Sequence, residues 1–279
     1  MTFSDLNVTP NPQSVCAVVL TFNAVDRLKK CISAVFAQTR LPEQLLVIDN
    51  HSSDGTQLYL ESLQTSMPAL KVVRTTENLG PAGGFHIGMK LAFDEGYSYL
   101  WLLDDDSVAG ARCLENLLAH LGDSKDGIAW PQNIDETGRQ TNYTAWRGEL
   151  LPREVVERGG LPNKELFWGV EDTEYFMGRL QGIHRIRRII VPEAIVHYTQ
   201  KNLRKSATWP YYYRARNMVY YRVWVQRPAR IGRLLSRLIR LWGRAVLKED
   251  RKLKKTGYIM WGIWHGMNRR LGKTIEPMP

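Results

Sequence analysis

A chain of 279 residues, 44% apolar and 24% charged, has the ordinary composition of a globular protein and can bury a substantial core as one large domain or as a domain with an appendage. No run approaches the ~18 apolar residues that span a bilayer. The net charge of +10 is unevenly placed: from Lys201 onward there are 20 Lys/Arg against 3 Asp/Glu, and before it 18 against 25, so an acidic body precedes a strongly basic tail suited to an anionic surface.

The polar opening Met1-Thr2-Phe3-Ser4-Asp5 lacks the charged segment and apolar core of a secretory leader, so residues 1–13 read as a polar tail and a cytoplasmic protein is expected. Cys16, Cys31 and Cys113 are far apart in apolar segments, which favours reduced core thiols over disulfides or zinc. Val15 to Thr21 reads as a buried strand, followed by an amphipathic helix through Leu28, Ile32, Val35 and Phe36 and a strand from Gln44 to Ile48. A further helix follows Asp54, which is placed to cap it, and a strand near Leu70 to Val73 leads into Asn78-Leu79-Gly80-Pro81-Ala82-Gly83-Gly84. After a helix to about Phe93, the apolar run Tyr99 to Leu103 ends in Asp104-Asp105-Asp106. Such alternation predicts an α/β fold, a mostly parallel sheet with helices on both faces.

Each strand in this half ends in a polar or glycine-rich turn where a nucleotide could lie. Thr21 and Asn23 follow the first, Asp49 the second, and the Gly83-Gly84 pair permits close backbone approach to a phosphate or sugar, although such a pair also marks ordinary turns. No G-x-G-x-x-G follows the first strand, which excludes a dinucleotide fingerprint. In an extended chain Asp104 and Asp106 would face one way and Asp105 the other, a geometry suited to a divalent cation that takes its remaining ligands from phosphate and water. The same carboxylates would also serve as a solvated turn capping a helix from near Ala109.

Taken together, Thr21-Phe22-Asn23, the segment Asp49-Asn50 to Asp54-Gly55-Thr56, Asn78-Leu79-Gly80 with Ala82-Gly83-Gly84, and Asp104-Asp105-Asp106 resemble, in order and spacing, the family 2 glycosyltransferases of the glycosyltransferase-A fold. The likeness covers roughly residues 15–200, so a catalytic domain is expected over 14–200 and a basic helical region over 201–279. The wording Asn78 to Phe85 and Trp101 to Asp106 is most similar to galactofuranosyltransferases and rhamnosyltransferases. The resemblance implies an inverting transferase using a nucleoside-diphosphate sugar, UDP-galactofuranose in the preferred reading and dTDP-rhamnose in the alternative. It implies a divalent cation, Mn²⁺ or Mg²⁺, at Asp104 and Asp106 with His197 of Val196-His197-Tyr198 as third ligand. Asp49 would lie near the base, with Thr21, Asn23, Asn78, Gly83, Gly84, Asp104 and Asp105 around the donor. In Trp168-Gly169-Val170-Glu171-Asp172, Asp172 takes the place of the catalytic base. No Gln-x-x-Arg-Trp motif is present, which points to a non-processive enzyme.

The reaction itself asks for the same parts: charge stabilisation on the departing diphosphate, and a carboxylate that deprotonates the acceptor hydroxyl from the opposite face of the sugar. Glu171 and Asp172 also read as the acidic start of a helix whose apolar side is Tyr175, Phe176 and Leu180. Trp146 and Trp168 flank the middle region where an acceptor would bind, as stacking faces or as packing, with Trp168 and Glu171 the candidate contacts. Arg214 and Asn217, three apart on a helix from Trp209, could present one face to an acceptor phosphate.

From Ala229 an apolar stripe through Leu234, Leu235, Leu238, Ile239, Leu241, Trp242 and Val246 alternates with Arg233, Arg237, Arg240 and Arg244, and a second segment brings Tyr258, Ile259, Trp261, Ile263 and Trp264. This predicts an interfacial helix on the inner face of the cell membrane, near a lipid-linked glycan acceptor for surface polysaccharide, or a helical pair folded on the body or on a second copy. A nucleic-acid-binding protein would explain the basic tail but not the acidic front half, so no nucleic acid partner is expected. A nucleotidyltransferase would share the nucleotide site but not the later Glu171-Asp172 pair.

Overall fold

The computed structural model describes residues 13–122, 124–141, 145–199, 207–226 and 231–277. Strand β1 (Val15–Thr21) is buried along its whole length, as its unbroken apolar run requires of a strand covered on both faces. It pairs in parallel with β2 (Gln44–Asp49) on one side and β4 (Tyr99–Asp104) on the other, with β3 (Leu70–Arg74) beyond β2. One face of β1, Val15, Ala17 and Val19, packs with Leu28 and Ile32 of α1 (Val25–Phe36); the other, Cys16, Val18 and Leu20, packs with Phe85 and Met89 of α3 (Gly80–Asp94). Helix α2 (Thr56–Gln64) follows β2, and Asp54 accepts from Thr56 N at 3.2 Å and from Val25 N at 3.0 Å, serving the first turns of two helices.

Beyond β4 the sheet turns mixed. With β5 (Ser107–Ala109), β6 (Gly127–Asp135), β8 (Arg147–Pro152) and β9 (Arg187–Tyr198), its order is β3-β2-β1-β4-β8-β6-β9-β5, and β7 (Gln140–Thr141) lies beside β6. Strand β8 runs antiparallel to β4, β9 runs parallel to β6, and α4 (Cys113–Leu121) and α5 (Arg153–Gly159) complete this half. The helix expected from near Ala109 starts later, because Ser107–Ala109 forms the short strand β5 against Val196 to Tyr198.

The basic region is helical: α6 (Trp209–Tyr220), which continues as a wide π-type turn to Val225, α7 (Ile231–Leu247) and α8 (Lys252–Met267). A Cβ on Gly262 or Gly266 of α8 would lie 2.4 Å from Tyr212 O or 2.5 Å from Arg216 O, so α8 rests on α6 at backbone contact. The apolar stripe of α7 is divided. Leu238, Leu241 and Ala245 pack against Tyr211, Ala215 and Ile259, whereas Leu235, Ile239 and Trp242 are 54%, 65% and 48% exposed. Residues Ala229 and Arg230 lie outside the described residues. On α8, Leu253, Met260, Trp264 and Met267 form an exposed stripe at helical spacing. No helix among the described residues is long and apolar enough to cross a membrane. After α8 the chain returns to the body, where Gly272 N donates to Glu165 O at 2.7 Å.

Candidate active site

Strand order reverses between β1 and β4, since β2 and β3 lie on one side of β1 and β4 on the other. Ligands of open α/β sheets sit outside the carboxyl ends of strands at such a point. A cavity of about 890 Å³ opens there. Thr21, Asn23, Asn50 and Asn78 border one side, Asp104 and Asp105 the middle, and Trp168, Glu171, Asp172 and Arg214 the other.

Backbone geometry explains the acidic middle. Strand β4 ends at Asp104 and the chain turns at once, so the alternation expected of an extended chain fails. Asp104 and Asp105 both border the cavity. Asp105 accepts from Thr21 Oγ1 at 3.2 Å and Phe22 N at 3.3 Å and pairs with Arg27 at 3.3 Å. Asp106 is buried instead beside Arg147, whose Nε lies 3.7 Å from its carboxylate. His197 does not join them. It is exposed and lines a separate hollow with Val108, Ile134, Asp135 and Glu136, because β9 is still paired to β5 and β6 there and puts Tyr198 on the buried side, 3.8 Å beneath the Arg147 guanidinium. The expected Asp104, Asp106 and His197 ligand set is therefore not assembled.

Two other expectations change. Gly83 and Gly84 lie inside α3 and do not border the cavity; a Cβ on Gly84 would sit 2.2 Å from Leu20 Cδ1, so this glycine lets the helix close onto β1. The cavity instead meets Gly80 and Pro81 at the start of that helix. Asp49 is buried in an ion pair with Arg74 and accepts from Ser52 N at 3.0 Å, which fixes the loop after β2 rather than bordering the cavity itself. Its neighbour Asn50, not singled out in the sequence as a site residue, does border it and donates to Asn78 Oδ1 at 3.1 Å while accepting from Leu79 N at 2.9 Å. Asn23 holds the same loop from β1, accepting from Ser53 N at 2.7 Å.

On the far side, Asp172 begins the π-type helix Thr173–Ile183 and accepts from Thr173 N at 2.5 Å. Burial raises its pKa to about 6, against the lowering effects of the Thr173 hydrogen bonds and the Arg147 charge. Burial and the charges of Asp172 and Asp104 push Glu171 well above the ordinary carboxylate range, and burial raises Glu149 on β8 to about 8. Trp146 is buried with its ring stacked on Phe85 at 4.3 Å, and it also borders the cavity. Trp168 is half-buried, edge-on to Trp209, with the Arg214 guanidinium 5.0 Å from its ring. Arg214 makes no ion pair among the described residues, and Asn217 turns away from it toward the loop before Glu171. Arg147 was not picked out by sequence pattern, since a lone arginine after Trp146 carries no motif.

No three His, Cys, Asp or Glu side chains converge among the described residues to hold a metal ion. The cavity nonetheless gathers negative charge. Among the described residues Glu171 Oε2 is buried without a hydrogen-bond partner, and the charges of Asp172 and Asp104 act on this carboxyl, a setting that fits a divalent cation taking only one or two protein carboxylates and the rest of its ligands from a diphosphate.

A nucleotide-sized cleft at the switch point of a parallel half-sheet, with carboxylates supplied by a strand end and by a separate helix start, defines a sugar-nucleotide-transferase type of α/β fold. The chain belongs to glycosyl transferase family 2, whose model matches residues 16–176. It is 34% identical over 185 residues to galactofuranosyltransferase GlfT1 of Mycobacterium tuberculosis, covering 65% of this chain and 59% of that protein. It is 28% identical over 194 residues to the Mycolicibacterium smegmatis GlfT1, covering 57% and 63%. The chain thus spans less than two thirds of these relatives' length. In fold it is similar to S. aureus TarS 1–349 in complex with UDP, with TM-score 0.65 at 14% identity over 92% of this chain and 82% of that one. It is also similar to the Pyrobaculum calidifontis mannosyltransferase PcManGT in complex with GDP-Man and Mn²⁺, with TM-score 0.55 at 17% identity over 94% and 90%.

Proposed function

We propose that the protein is an inverting glycosyltransferase that moves a sugar, galactofuranose from UDP-galactofuranose, onto a lipid-linked glycan acceptor. The observation that carries this reading is that the Glu171-Asp172 pair, far in sequence from Asp104 and Asp105, borders the same cavity. Thr21, Asn23, Asn50 and Asn78 provide polar groups for the nucleotide, and the galactofuranosyltransferase relatives support the choice of sugar. Asp104 would hold a divalent cation, Mn²⁺ or Mg²⁺, which when bound supplies Lewis-acid stabilisation of the departing diphosphate. Asp172 takes the proton from the acceptor hydroxyl as that oxygen attacks the anomeric carbon from the face opposite the diphosphate, which inverts the centre. Trp168 offers a ring face to the acceptor sugar, and Arg214, which borders the cavity and makes no ion pair among the described residues, suits an acceptor phosphate.

A lipid-linked acceptor is consistent with the exposed apolar residues of α7 and α8. These helices are joined by the short link Lys248 to Arg251 and share an apolar cluster through Leu238, Leu241, Ala245, Ile259 and Ile263. Leu235, Ile239 and Trp242 on one, and Met260, Trp264 and Met267 on the other, offer an apolar surface in a region whose cations suit anionic lipid. Tryptophan and methionine at such a boundary, together with the net positive charge of the region, favour a membrane over a second copy of the same cationic chain.

The test is nucleotide release from a panel of UDP- and dTDP-sugars, with Mn²⁺, Mg²⁺ or chelator, in the presence of a short-chain lipid pyrophosphoryl saccharide. UDP-galactofuranose turned over with inversion is the expected result. Metal-independent UDP binding by the parent would remove the role given to Asp104, and turnover of dTDP-rhamnose alone would replace the donor.

A further inference from the structure

The loop that carries Trp168 into the cavity and ends at Glu171-Asp172 has an unfavourable backbone. Phe167, Gly169 and Val170 have φ of +58°, +76° and +74°, the left-handed region that a bulky aromatic and a β-branched residue rarely enter. Such a segment persists only where its surroundings over-determine it. Here each carbonyl from Glu165 to Val170 accepts a hydrogen bond, and two adjacent side chains of α6 supply those to four of them. Asn217 Nδ2 shares its two hydrogens among Leu166 O at 2.8 Å, Trp168 O at 3.0 Å and Gly169 O at 2.7 Å. Arg216 Nη2 donates to Leu166 O at 2.9 Å and Glu165 O at 3.3 Å. Ala82 N takes Phe167 O at 3.2 Å and Glu174 N takes Val170 O at 2.8 Å.

Arg216 and Asn217 are both fully buried, and Arg216 Nε donates to Asn217 Oδ1 at 2.8 Å, so the two act as one unit. A buried guanidinium held almost wholly by main-chain oxygens is fixed by geometry rather than by an opposite charge. The remaining arm, Nη1, donates to Gly272 O at 2.5 Å, in the segment that returns from α8. Tyr213 of α6 accepts from Thr274 N and Ile275 N, both at 3.0 Å, and donates to Ile275 O at 2.8 Å, which holds that segment in place.

We infer that Arg216 and Asn217 are positioning residues for transfer: they hold loop 165–170 in its left-handed course, and so set Trp168 and Asp172, with the segment from Gly272 to Ile275 bracing the grip. All of these bracing groups lie beyond residue 176, where the family match ends. The nucleotide side of the cavity built on β1 and β2 receives no bond from Arg216 or Asn217; it meets the loop through the start of α3, where Ala82 N donates to Phe167 O. Loss of the grip should therefore separate catalysis from donor binding. The inference rests on Asp172 as the acting base, but it has a readout of loop order that holds whatever the base is.

The experiment compares Asn217→Ala and Arg216→Lys with the parent, full chain in each case. It measures kcat and KM for UDP-galactofuranose, Kd for UDP, melting temperature, and acrylamide quenching of Trp168, taken as the difference from Trp168→Phe. Displacing a reacting group by about 1 Å costs on the order of 100-fold, so kcat should fall about 10- to 100-fold while donor KM and UDP Kd stay within about threefold and Trp168 quenching rises. Lysine cannot reproduce the fork, so Arg216→Lys should share the defect. Parent-like kcat and quenching in either folded variant overturns the inference, as does a parallel loss of UDP binding and turnover. Should Asn217→Ala fail to fold, Tyr213→Phe releases only the bracing segment; a smaller loss of kcat with raised Trp168 quenching supports the grip, and parent-like values for both overturn it. Undiminished transfer by Asp172→Asn, with Trp168 still responding to Asn217→Ala, would remove the base assignment and leave the grip on the loop standing.

Discussion

Asp172 must be ionised to accept a proton, yet the protein holds it where ionisation is costly. Its rise from an ordinary 3.8 to about 6 has burial as its first cause, and at ~1.4 kcal/mol per pH unit it corresponds to roughly 3 kcal/mol. The sign follows from linkage: a carboxyl raised in the folded state favours the protonated form, so its ionisation destabilises the fold fully above pH ~6 and not at all below pH ~4. Asp172→Asn removes that charge while keeping the side chain's shape. At pH 8 it should melt later than the parent, by on the order of 1 to 3 kcal/mol in urea unfolding, and the advantage should shrink as pH falls from 6 to 4. Activity should move the opposite way. Parent kcat/KM should fall about tenfold per pH unit below 6, and Asp172→Asn should lose about 100- to 10,000-fold at pH 8. Because the Arg147 charge lowers the Asp172 pKa, Arg147→Met should shift the acid limb to higher pH. A parent rate flat from pH 5 to 8, or an Asp172→Asn protein less stable than the parent at pH 8, would refute the reasoning.

Three further outcomes follow from the packing. Gly84→Ala forces a methyl onto Leu20, 2.2 Å away in a filled core, and should cost about 1 to 3 kcal/mol, seen as a lower urea midpoint with unchanged slope; an unchanged midpoint would mean that α3 moves off β1 freely. Asn50→Ala removes the link between the loop after β2 and Asn78, and UDP affinity should drop about tenfold, the worth of one or two hydrogen bonds, as read by calorimetry. Ile239→Glu with Trp264→Glu alters only exposed positions of α7 and α8, so sedimentation with anionic vesicles should fall while the melting temperature stays within about a degree. Vesicle binding equal to the parent's would count against lipid contact through these helices.

Strands β1, β2 and β4 were legible in the sequence because a strand covered on both faces must be apolar along nearly all its length, and Val15 to Thr21 and Tyr99 to Leu103 allow little else. The acidic stop at Asp104, the polar turns after β1 and β2 and the later Glu171-Asp172 pair were equally visible, since charge at the end of an apolar run stands out at any distance. Their direction was not. Whether Asp106 faces a cation or Arg147, and whether His197 or Tyr198 turns inward, depends on where extended chain gives way to a turn and on which strands β9 joins. Gly83 and Gly84 carry the same letters in a phosphate loop and in a helix pressed on a sheet; only the neighbour, Leu20, distinguishes them. In the same way the tail's amphipathic pattern fixed its helices, while the docking of α8 on α6 decided which apolar residues remained outside. Local sequence sets what a segment can form, because periodicity and charge act over a few residues; the aim of each side chain is set by partners that arrive from elsewhere in the chain.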